Sequence, residues 1–193
     1  MPTTLQHLIS QMTLEEKAGL CSGLNAWQTK PVERLGVTSI IVADGPHGLR
    51  KQADINAPLG LGQSLPATCF PTAATSACSF DREVLREIGA AIGAEAAREQ
   101  VAVVLGPGVN IKRSPLCGRN FEYFSEDPLV AGELAAALIE GVQSQQVGTS
   151  IKHYACNSIE NVRTRVNVKI SQRALREGHP WLFEQAITSQ SGE

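Results

Sequence analysis

The sequence predicts an α/β fold built on a parallel sheet, and more specifically the N-terminal portion of a (β/α)8 TIM-type barrel. Three observations support this prediction. Apolar runs alternate with helical patterns along the chain, each run ends at a loop containing glycine or proline, and polar side chains follow these runs. A complete barrel takes about 250 residues, so the 193 residues of this chain could form little more than half of one.

The first part of the chain predicts a short helix and then a buried strand. Thr13 and Glu16 match a capping box that opens the helix, and residues 21–23 would end it. Residues 38–43 form an apolar, β-branched run, which is typical of a buried strand. We expect this strand to stop before Asp44, where a Gly-Pro turn begins.

The middle of the chain repeats this order. Apolar side chains recur at three- and four-residue spacing between residues 81 and 100, which predicts a surface helix with one apolar face. Residues 101–105 follow as a second buried strand that breaks at a Gly-Pro-Gly sequence. A long polar loop is then expected over residues 110–126.

The last part predicts a helix, a third strand and another helix. Asp127 is the cap of the first helix, with proline at the first helical position. The third strand covers residues 148–151 and ends near Lys152. The final helical pattern, over residues 171–189, contains Pro180, which should kink or split the helix.

Composition excludes two classes of partner. The chain has 17 Lys and Arg residues against 19 Asp and Glu residues, and its formal charge of −2 recruits neither nucleic acid nor an anionic membrane. The most apolar stretch, residues 134–139, is too short to span a bilayer, which needs roughly 20 apolar residues. The N-terminus shows no secretory signal pattern, so a cytoplasmic location is expected.

Neither a metal nor a cofactor is expected. The five cysteines are odd in number and widely spaced, which predicts free and mostly buried thiols. His153 and Cys156 stand at a metal-ligand spacing, but two ligands do not make a site. Gly106 and Gly108 lack the third glycine of a dinucleotide fingerprint, and no P-loop occurs, so a nucleotide-using oxidoreductase finds no support.

Polar residues follow the predicted strands, at the edge where parallel sheets bind ligands. Asp44 could accept hydrogen bonds from two vicinal hydroxyls of a small polar ligand, and Arg50 could reach the same ligand. The alternative is that Asp44 caps the following loop. Lys152 and His153 offer two adjacent donors, although a lone histidine is more often structural.

Residues 118–128 combine one cation, three carboxylates and three aromatic rings, a mixture that suits a sugar. Taken separately, Glu126 and Asp127 are helix-capping charges. Glu122 could hold Arg119 in place rather than touch a substrate. Spacing identifies no pair of carboxylates as general acid and nucleophile, so the residues alone predict a polyol-binding face on a partial barrel.

Four motifs occur in register along nearly the whole chain: Asp44-Gly-Pro-x-Gly-x-Arg50, Gly106-Pro-Gly-Val-Asn-Ile, Gly118-Arg119-x-x-Glu-x-x-x-Glu-Asp-Pro128 and Lys152-His153-Tyr-Ala-x-Asn157. Together they resemble glycoside hydrolase family 3, in particular its β-glucosidase branch. The β-N-acetylglucosaminidase branch continues after Lys-His with Phe-Pro-Gly, whereas this chain continues with Tyr154-Ala155-Cys156. The resemblance therefore favours glucosidase or xylosidase-like specificity.

The resemblance implies a retaining enzyme that releases terminal β-D-glucose from oligosaccharides or glucosides. Its expected partner is a small carbohydrate, with no cofactor. The matching residues would bind the sugar, one accepting hydrogen bonds from ring hydroxyls and the rest donating to them. The acceptor is Asp44, and the donors are Arg50, Arg119, Lys152 and His153.

The family's catalytic machinery is absent from this sequence. Its nucleophile Asp lies in a Ser-Asp-Trp segment that these 193 residues do not contain, and its acid/base Glu comes from a following domain. Residues 1–193 are therefore expected to be the N-terminal portion of the barrel domain, inactive alone and prone to aggregate through unpaired sheet edges. The alternatives are a non-catalytic sugar-binding protein and a half-enzyme completed by a separate chain.

Overall fold

The computed structural model describes residues 5–56 and 62–188, and helices alternate with strands along them. The strands are β1 (Val42–Asp44), β2 (Val103–Leu105) and β3 (Gly148–Thr149). The helices are α1 (Leu5–Gln11), α2 (Leu14–Leu20), α3 (Ala73–Ser76), α4 (Arg82–Arg98), α5 (Pro128–Gln143) and α6 (Gln172–Thr188).

The three strands form a parallel sheet in the order β1-β2-β3. Val42 pairs with Val103, and Val103 pairs in turn with Gly148, so the strands are aligned at their starts. Helices α3 and α4 connect β1 to β2, and α5 connects β2 to β3. The predicted α/β fold with a parallel sheet is confirmed.

The first strand differs in extent from the prediction, because residues 38–41 lie outside it. The Thr29 N–H donates to the Ile40 carbonyl at 3.1 Å, and the Val42 N–H donates to the Trp27 carbonyl at 2.8 Å. The preceding apolar residues therefore lie beside an antiparallel segment that local sequence does not reveal. As a result Asp44 is the last residue of β1 rather than the first residue after it.

The core lies where α4 and α5 pack together against the sheet. Leu85 and Ile92 are fully buried on α4. Gly89 of α4 faces Gly141 of α5 at the helix crossing, where a Cβ on Gly89 would lie 2.2 Å from the Leu138 carbonyl oxygen. The two backbones approach this closely because neither glycine has a side chain.

Helix α6 continues through Pro180, so of the two expected effects, a kink or a split, the split is wrong. Proline removes one backbone hydrogen bond from a helix. The apolar face that follows it compensates, since Leu182, Phe183 and Ala186 are buried in the core cluster with α5. Residue 189, the expected end of the helix, lies outside the described residues.

The cysteines are free thiols, as predicted, but the expectation that most are buried is wrong. Cys21, Cys69 and Cys78 are exposed, Cys117 is half-buried and Cys156 is buried. The exposed three lie in connections and at helix ends, which run over the surface. Within the described ranges no helix is long and apolar enough to cross a membrane. No group of three or more potential ligand side chains in them could hold a metal ion.

Candidate functional site

The candidate site lies at the carboxyl ends of the three strands. Asp44 ends β1, Asn110 lies in the segment after β2, and Lys152 follows β3. The Lys152 N–H donates to the Pro107 carbonyl at 2.9 Å, and the Lys152 carbonyl accepts from the Val109 N–H at 2.8 Å. These two bonds continue the pairing between β2 and β3 and bring Lys152 to the same edge as Asp44.

A tight turn after β1 fixes the position of Asp44. Gly45 and Gly48 both have φ of 131°, a left-handed conformation that favours glycine. There is also no room for a side chain at either position. A Cβ on Gly45 would lie 2.2 Å from the Gly48 carbonyl oxygen, and a Cβ on Gly48 would lie 2.0 Å from the Thr68 carbonyl oxygen. The Arg50 N–H then donates to the Asp44 carbonyl at 2.8 Å, so the turn holds Asp44 through its main chain.

Lys152 joins two carboxylates. Its Nζ lies 2.8 Å from Asp44 Oδ1 and 2.9 Å from Glu122 Oε1, and the Glu122 side chain is only 7% exposed. Burial alone would raise the pKa of both carboxyls, but the hydrogen bond and charge of Lys152 outweigh it, with Arg119 adding to the effect on Glu122. The pKa of each carboxyl therefore lies below its ordinary value, and both are ionised at neutral pH.

Arg119 extends this network from the other oxygen of Glu122. Its Nε donates to Glu122 Oε2 at 2.7 Å and its Nη2 lies 2.5 Å from the same oxygen. The Nη2 atom also lies 2.8 Å from His153 Nε2, and Nη1 lies 3.7 Å from Glu160 Oε1. Burial would lower the pKa of the guanidinium, but the hydrogen bond and charge of Glu122 raise it.

His153 completes the network. Its Nδ1 lies 3.2 Å from the Tyr123 hydroxyl and 3.3 Å from Asn110 Oδ1. Burial, together with the neighbouring charges of Arg119 and Lys152, lowers the pKa of His153 to about 4. The imidazole is therefore neutral at pH 7 and can accept one hydrogen bond while donating another.

Four of the five residues predicted to bind sugar lie in one continuous polar network, joined through Glu122. They are Asp44, Arg119, Lys152 and His153. The fifth, Arg50, has an exposed side chain, and its charge helps to lower the pKa of Asp44. Glu122 holds Arg119, as one of the two sequence interpretations proposed, but it also binds Lys152.

Sequence reasoning missed the residues that support the network from behind. Asn110 is 1% exposed and Tyr123 is fully buried, and both contact His153. Tyr123 lies within the aromatic segment after Arg119, and Asn110 follows the Gly-Pro-Gly sequence. Neither position shows from the sequence whether the side chain is buried behind the site or contacts a ligand. Asp127, by contrast, accepts from the Leu129 N–H at 2.8 Å and is the helix cap that the sequence predicts.

The network alternates acceptors with donors over a short distance, an arrangement suited to a ligand with several adjacent hydroxyls. The carboxylates of Asp44 and Glu122 accept, and the cationic groups of Lys152 and Arg119 donate. Both carboxyls have lowered pKa values, so neither is a ready proton donor at neutral pH. A separate cavity of about 500 Å³ lies between Arg113 and α6, and none of the network residues lines it.

Comparison with known proteins gives this site its context. The sequence model described as the glycosyl hydrolase family 3 N terminal domain matches residues 21–193. The chain belongs to glycoside hydrolase family 3. Solved family 3 β-glucosidases share its architecture, so the parallel sheet and its helices are part of a TIM-type barrel, as predicted.

Three relatives illustrate the similarity within family 3. Thermostable beta-glucosidase B of Acetivibrio thermocellus is 57% identical over 97% of this chain and 25% of its own length. An exo-alpha-(1->6)-L-arabinopyranosidase of Bifidobacterium longum is 51% identical over 93% of this chain and 24% of its own length. The structure of beta-glucosidase 3B from Thermotoga neapolitana in complex with alpha-D-glucose has a TM-score of 0.83 and 41% identity, over 94% of this chain and 27% of that one. This chain thus spans about a quarter of the length of its curated relatives.

Proposed function

We propose that this chain supplies the sugar-binding part of a retaining β-glucosidase, which releases terminal β-D-glucose from oligosaccharides or glucosides. The observation that carries the proposal is the network at the strand ends, in which Lys152 lies between Asp44 and Glu122. Family 3 membership supports the reaction class. Alternating charged donors and acceptors provide the contacts that a hexose with adjacent hydroxyls needs.

Asp44, Lys152, Arg119 and Arg50 have the following roles in this proposal. Asp44, the more accessible carboxylate with 33% of its side chain exposed, accepts from two sugar hydroxyls. Lys152 and Arg119 donate to neighbouring hydroxyls. The positive charge of Arg50 helps to lower the pKa of Asp44, which favours the ionised carboxylate. Hydrogen bonds to charged groups are worth about 1.5–3 kcal/mol each, so this set holds one sugar unit in a fixed orientation.

The catalytic carboxylates belong, in this proposal, to the part of the enzyme that follows residue 193. A retaining glycosidase needs one nucleophilic carboxylate and one carboxylic acid that donates a proton. Glu122 binds two cations and Asp44 binds one, and their lowered pKa values disfavour the acid role. The proposal therefore treats residues 1–193 as the N-terminal portion of the barrel domain, and the relatives' greater length supports it.

A second candidate is hydrolysis of α-L-arabinopyranosides. It is favoured by one observation, the 51% identity to an exo-alpha-(1->6)-L-arabinopyranosidase. The two sugars differ in the orientation of one ring hydroxyl and in the hydroxymethyl group, and in this proposal the network binds ring hydroxyls. A xyloside, which lacks the hydroxymethyl group but keeps the glucose orientation, separates the two differences.

The test is turnover of matched aryl glycosides by the full-length gene product. We expect the p-nitrophenyl β-D-glucoside to give the highest kcat/KM, with the β-D-xyloside below it and the α-L-arabinopyranoside lowest. Preference for the arabinopyranoside would support the second candidate. Glucose binding measured by calorimetry, without turnover of any substrate, would instead support a non-catalytic sugar-binding protein and refute the hydrolase.

A further inference from the structure

Two adjoining cavities lie between helix α6, the segment that precedes it and the segment after β2. The larger has a volume of about 500 Å³ and the smaller a volume of about 200 Å³. Arg113, Ile170 and His179 line both cavities, so the two meet at these side chains. None of the network residues lines either cavity. A ligand bound here would therefore occupy a site separate from the strand-end network.

The smaller cavity has mostly apolar walls and room for one aromatic ring. Its apolar side chains include Ile159, Val168 and Ile170. A cavity of about 150 Å³ with apolar walls is large enough to bind benzene. A volume of about 200 Å³ therefore admits a ring with one small substituent. The larger cavity continues from the shared residues along the first turns of α6.

The place where the cavities meet is positively charged. Arg113 lines both, and in the part of the chain that the structure describes its guanidinium forms no ion pair. Burial and then the charge of Arg113 lower the pKa of His179, so the guanidinium lies close to the imidazole. Lys169 adds a second cation to the larger cavity. Glu177 lies in the same wall, but its carboxylate is bound to Arg173 at 2.8 Å.

Two buried polar side chains in these walls have no hydrogen-bond partner among the described residues. Ser158 lines the smaller cavity and is 8% exposed, and His179 is 4% exposed. The unpartnered atoms are Ser158 Oγ and His179 Nδ1. Burying a polar atom without a partner costs free energy, so both side chains favour a ligand that accepts their hydrogen bonds. A hydroxyl and a neutral imidazole can both donate one.

We propose that the two cavities form a binding site for a small monocarboxylate whose apolar body is about the size of one aromatic ring. Arg113 binds the carboxylate, because a planar guanidinium matches its two oxygens with parallel N–H···O bonds. Ser158 and His179 supply further donors, and the apolar body enters the smaller cavity and leaves water. This site is independent of the proposed sugar-binding function.

The test is binding of benzoate to the full-length gene product at pH 7, measured by calorimetry. Benzamide has the same shape without the charge, and acetate and inorganic phosphate have an anionic group without the ring. We expect each of the three to bind about tenfold more weakly than benzoate, or worse. Arg113→Met should weaken benzoate binding to a similar extent. Arg98→Met, at an exposed position on α4, is the matched control and should leave the Kd unchanged.

Four results would overturn the proposal. Equal affinity for benzoate and benzamide would remove the role of the charge, and equal affinity for benzoate and phosphate would remove the role of the ring. A loss of affinity in Arg119→Met, rather than in Arg113→Met, would place benzoate at the strand-end network. Absence of benzoate binding would show that the cavities are not a ligand site in the full-length protein. If Arg113→Met does not fold, the ligand series on the unsubstituted protein still decides.

Discussion

Lys152 is the residue on which the charge balance of the site depends. Its amine lies between Asp44 and Glu122, and its own side chain is 15% exposed. In Lys152→Met the apolar stem remains but two partly buried carboxylates lose their cation. Removing one partner of a buried pair typically costs about 3–5 kcal/mol, and we expect a value near the lower limit because Asp44 is partly exposed.

The measurement for Lys152→Met is the free energy of urea unfolding at neutral pH, with the exposed Lys17→Met as control. The loss should shrink as the pH is lowered, because protonation of the unpaired carboxyls removes their buried charge. An equal effect of the two substitutions would contradict the role assigned to Lys152.

The pKa of His153 predicts a pH dependence of stability. An unfolded histidine titrates near 6.5, whereas burial and two cations lower the pKa of His153 to about 4. Between these values the unfolded chain binds a proton that the folded chain does not. The free energy of unfolding therefore falls as the pH drops from 6.5 to 4. Below pH 4 no further stability is lost through His153.

Urea midpoints measured across this window should fall in the unsubstituted chain and change less in His153→Gln. The lowered pKa values of Asp44 and Glu122 act mainly below their ordinary values of 3.8 and 4.5. The slope above 4.5 therefore comes mainly from histidines, and burial lowers the pKa of His47 and of His179 as well as that of His153. His7→Gln, on the exposed helix α1, serves as control. A slope that His153→Gln leaves unchanged would show that another group is responsible.

The sequence allows prediction of the residues at the strand ends but not of the residues behind them. Asp44 and Lys152 follow apolar runs, and strand direction brings them to one edge. Asn110 and Tyr123 act through burial and long-range contacts, to partners more than 29 residues away in the chain. Local patterns carry no information about such contacts, so they could not identify the support for His153.

At the scale of elements, the crossing of α4 and α5 depends on two glycines. A Cβ on Gly141 would lie 2.1 Å from the Arg86 carbonyl oxygen and 2.6 Å from the Ala90 nitrogen, both backbone atoms that cannot rotate away. Gly141→Ala should therefore destabilise the chain by about 1–3 kcal/mol through overpacking, although alanine favours helices. Gly118→Ala is the matched control, since nothing lies within 4 Å of a Cβ there.

Thermal unfolding of the two alanine variants checks this prediction. Gly118→Ala should stay within about 0.5 kcal/mol of the unsubstituted chain, as surface substitutions usually do. Stabilisation by Gly141→Ala would mean that the helices separate more easily than the structure indicates.

Helical periodicity predicts α4 and α5 well, because a long amphipathic pattern repeats the same information several times. The strands are less well defined, since each has at most three residues and its limits depend on pairing. Residues 38–41 belong to the predicted strand but lie beside the antiparallel segment around Trp27. Tertiary packing also decides the outcome at Pro180, where the packing of α6 against α5 outweighs the helix-breaking tendency of a single residue.

At the scale of the whole molecule, the parallel order of the sheet gives the site its composition. Three strands deliver Asp44, the loop with Asn110, and Lys152 to one edge, from positions up to 108 residues apart in the chain. Parallel barrels place their ligands at this edge. In the proposed function, sugar therefore binds at an edge that this chain, about a quarter of the relatives' length, already builds.

The most direct test of this account is the effect of Asp44→Asn on hydrolysis of p-nitrophenyl β-D-glucoside by the full-length gene product. The amide keeps the shape of Asp44 but loses the charge that accepts from two hydroxyls. We predict a fall in kcat/KM of about 100-fold or more, since each charged hydrogen bond is worth about 1.5–3 kcal/mol. Asp54→Asn, at an exposed loop position, should leave kcat/KM unchanged. Kinetics of Asp44→Asn equal to those of the unsubstituted enzyme would contradict the account.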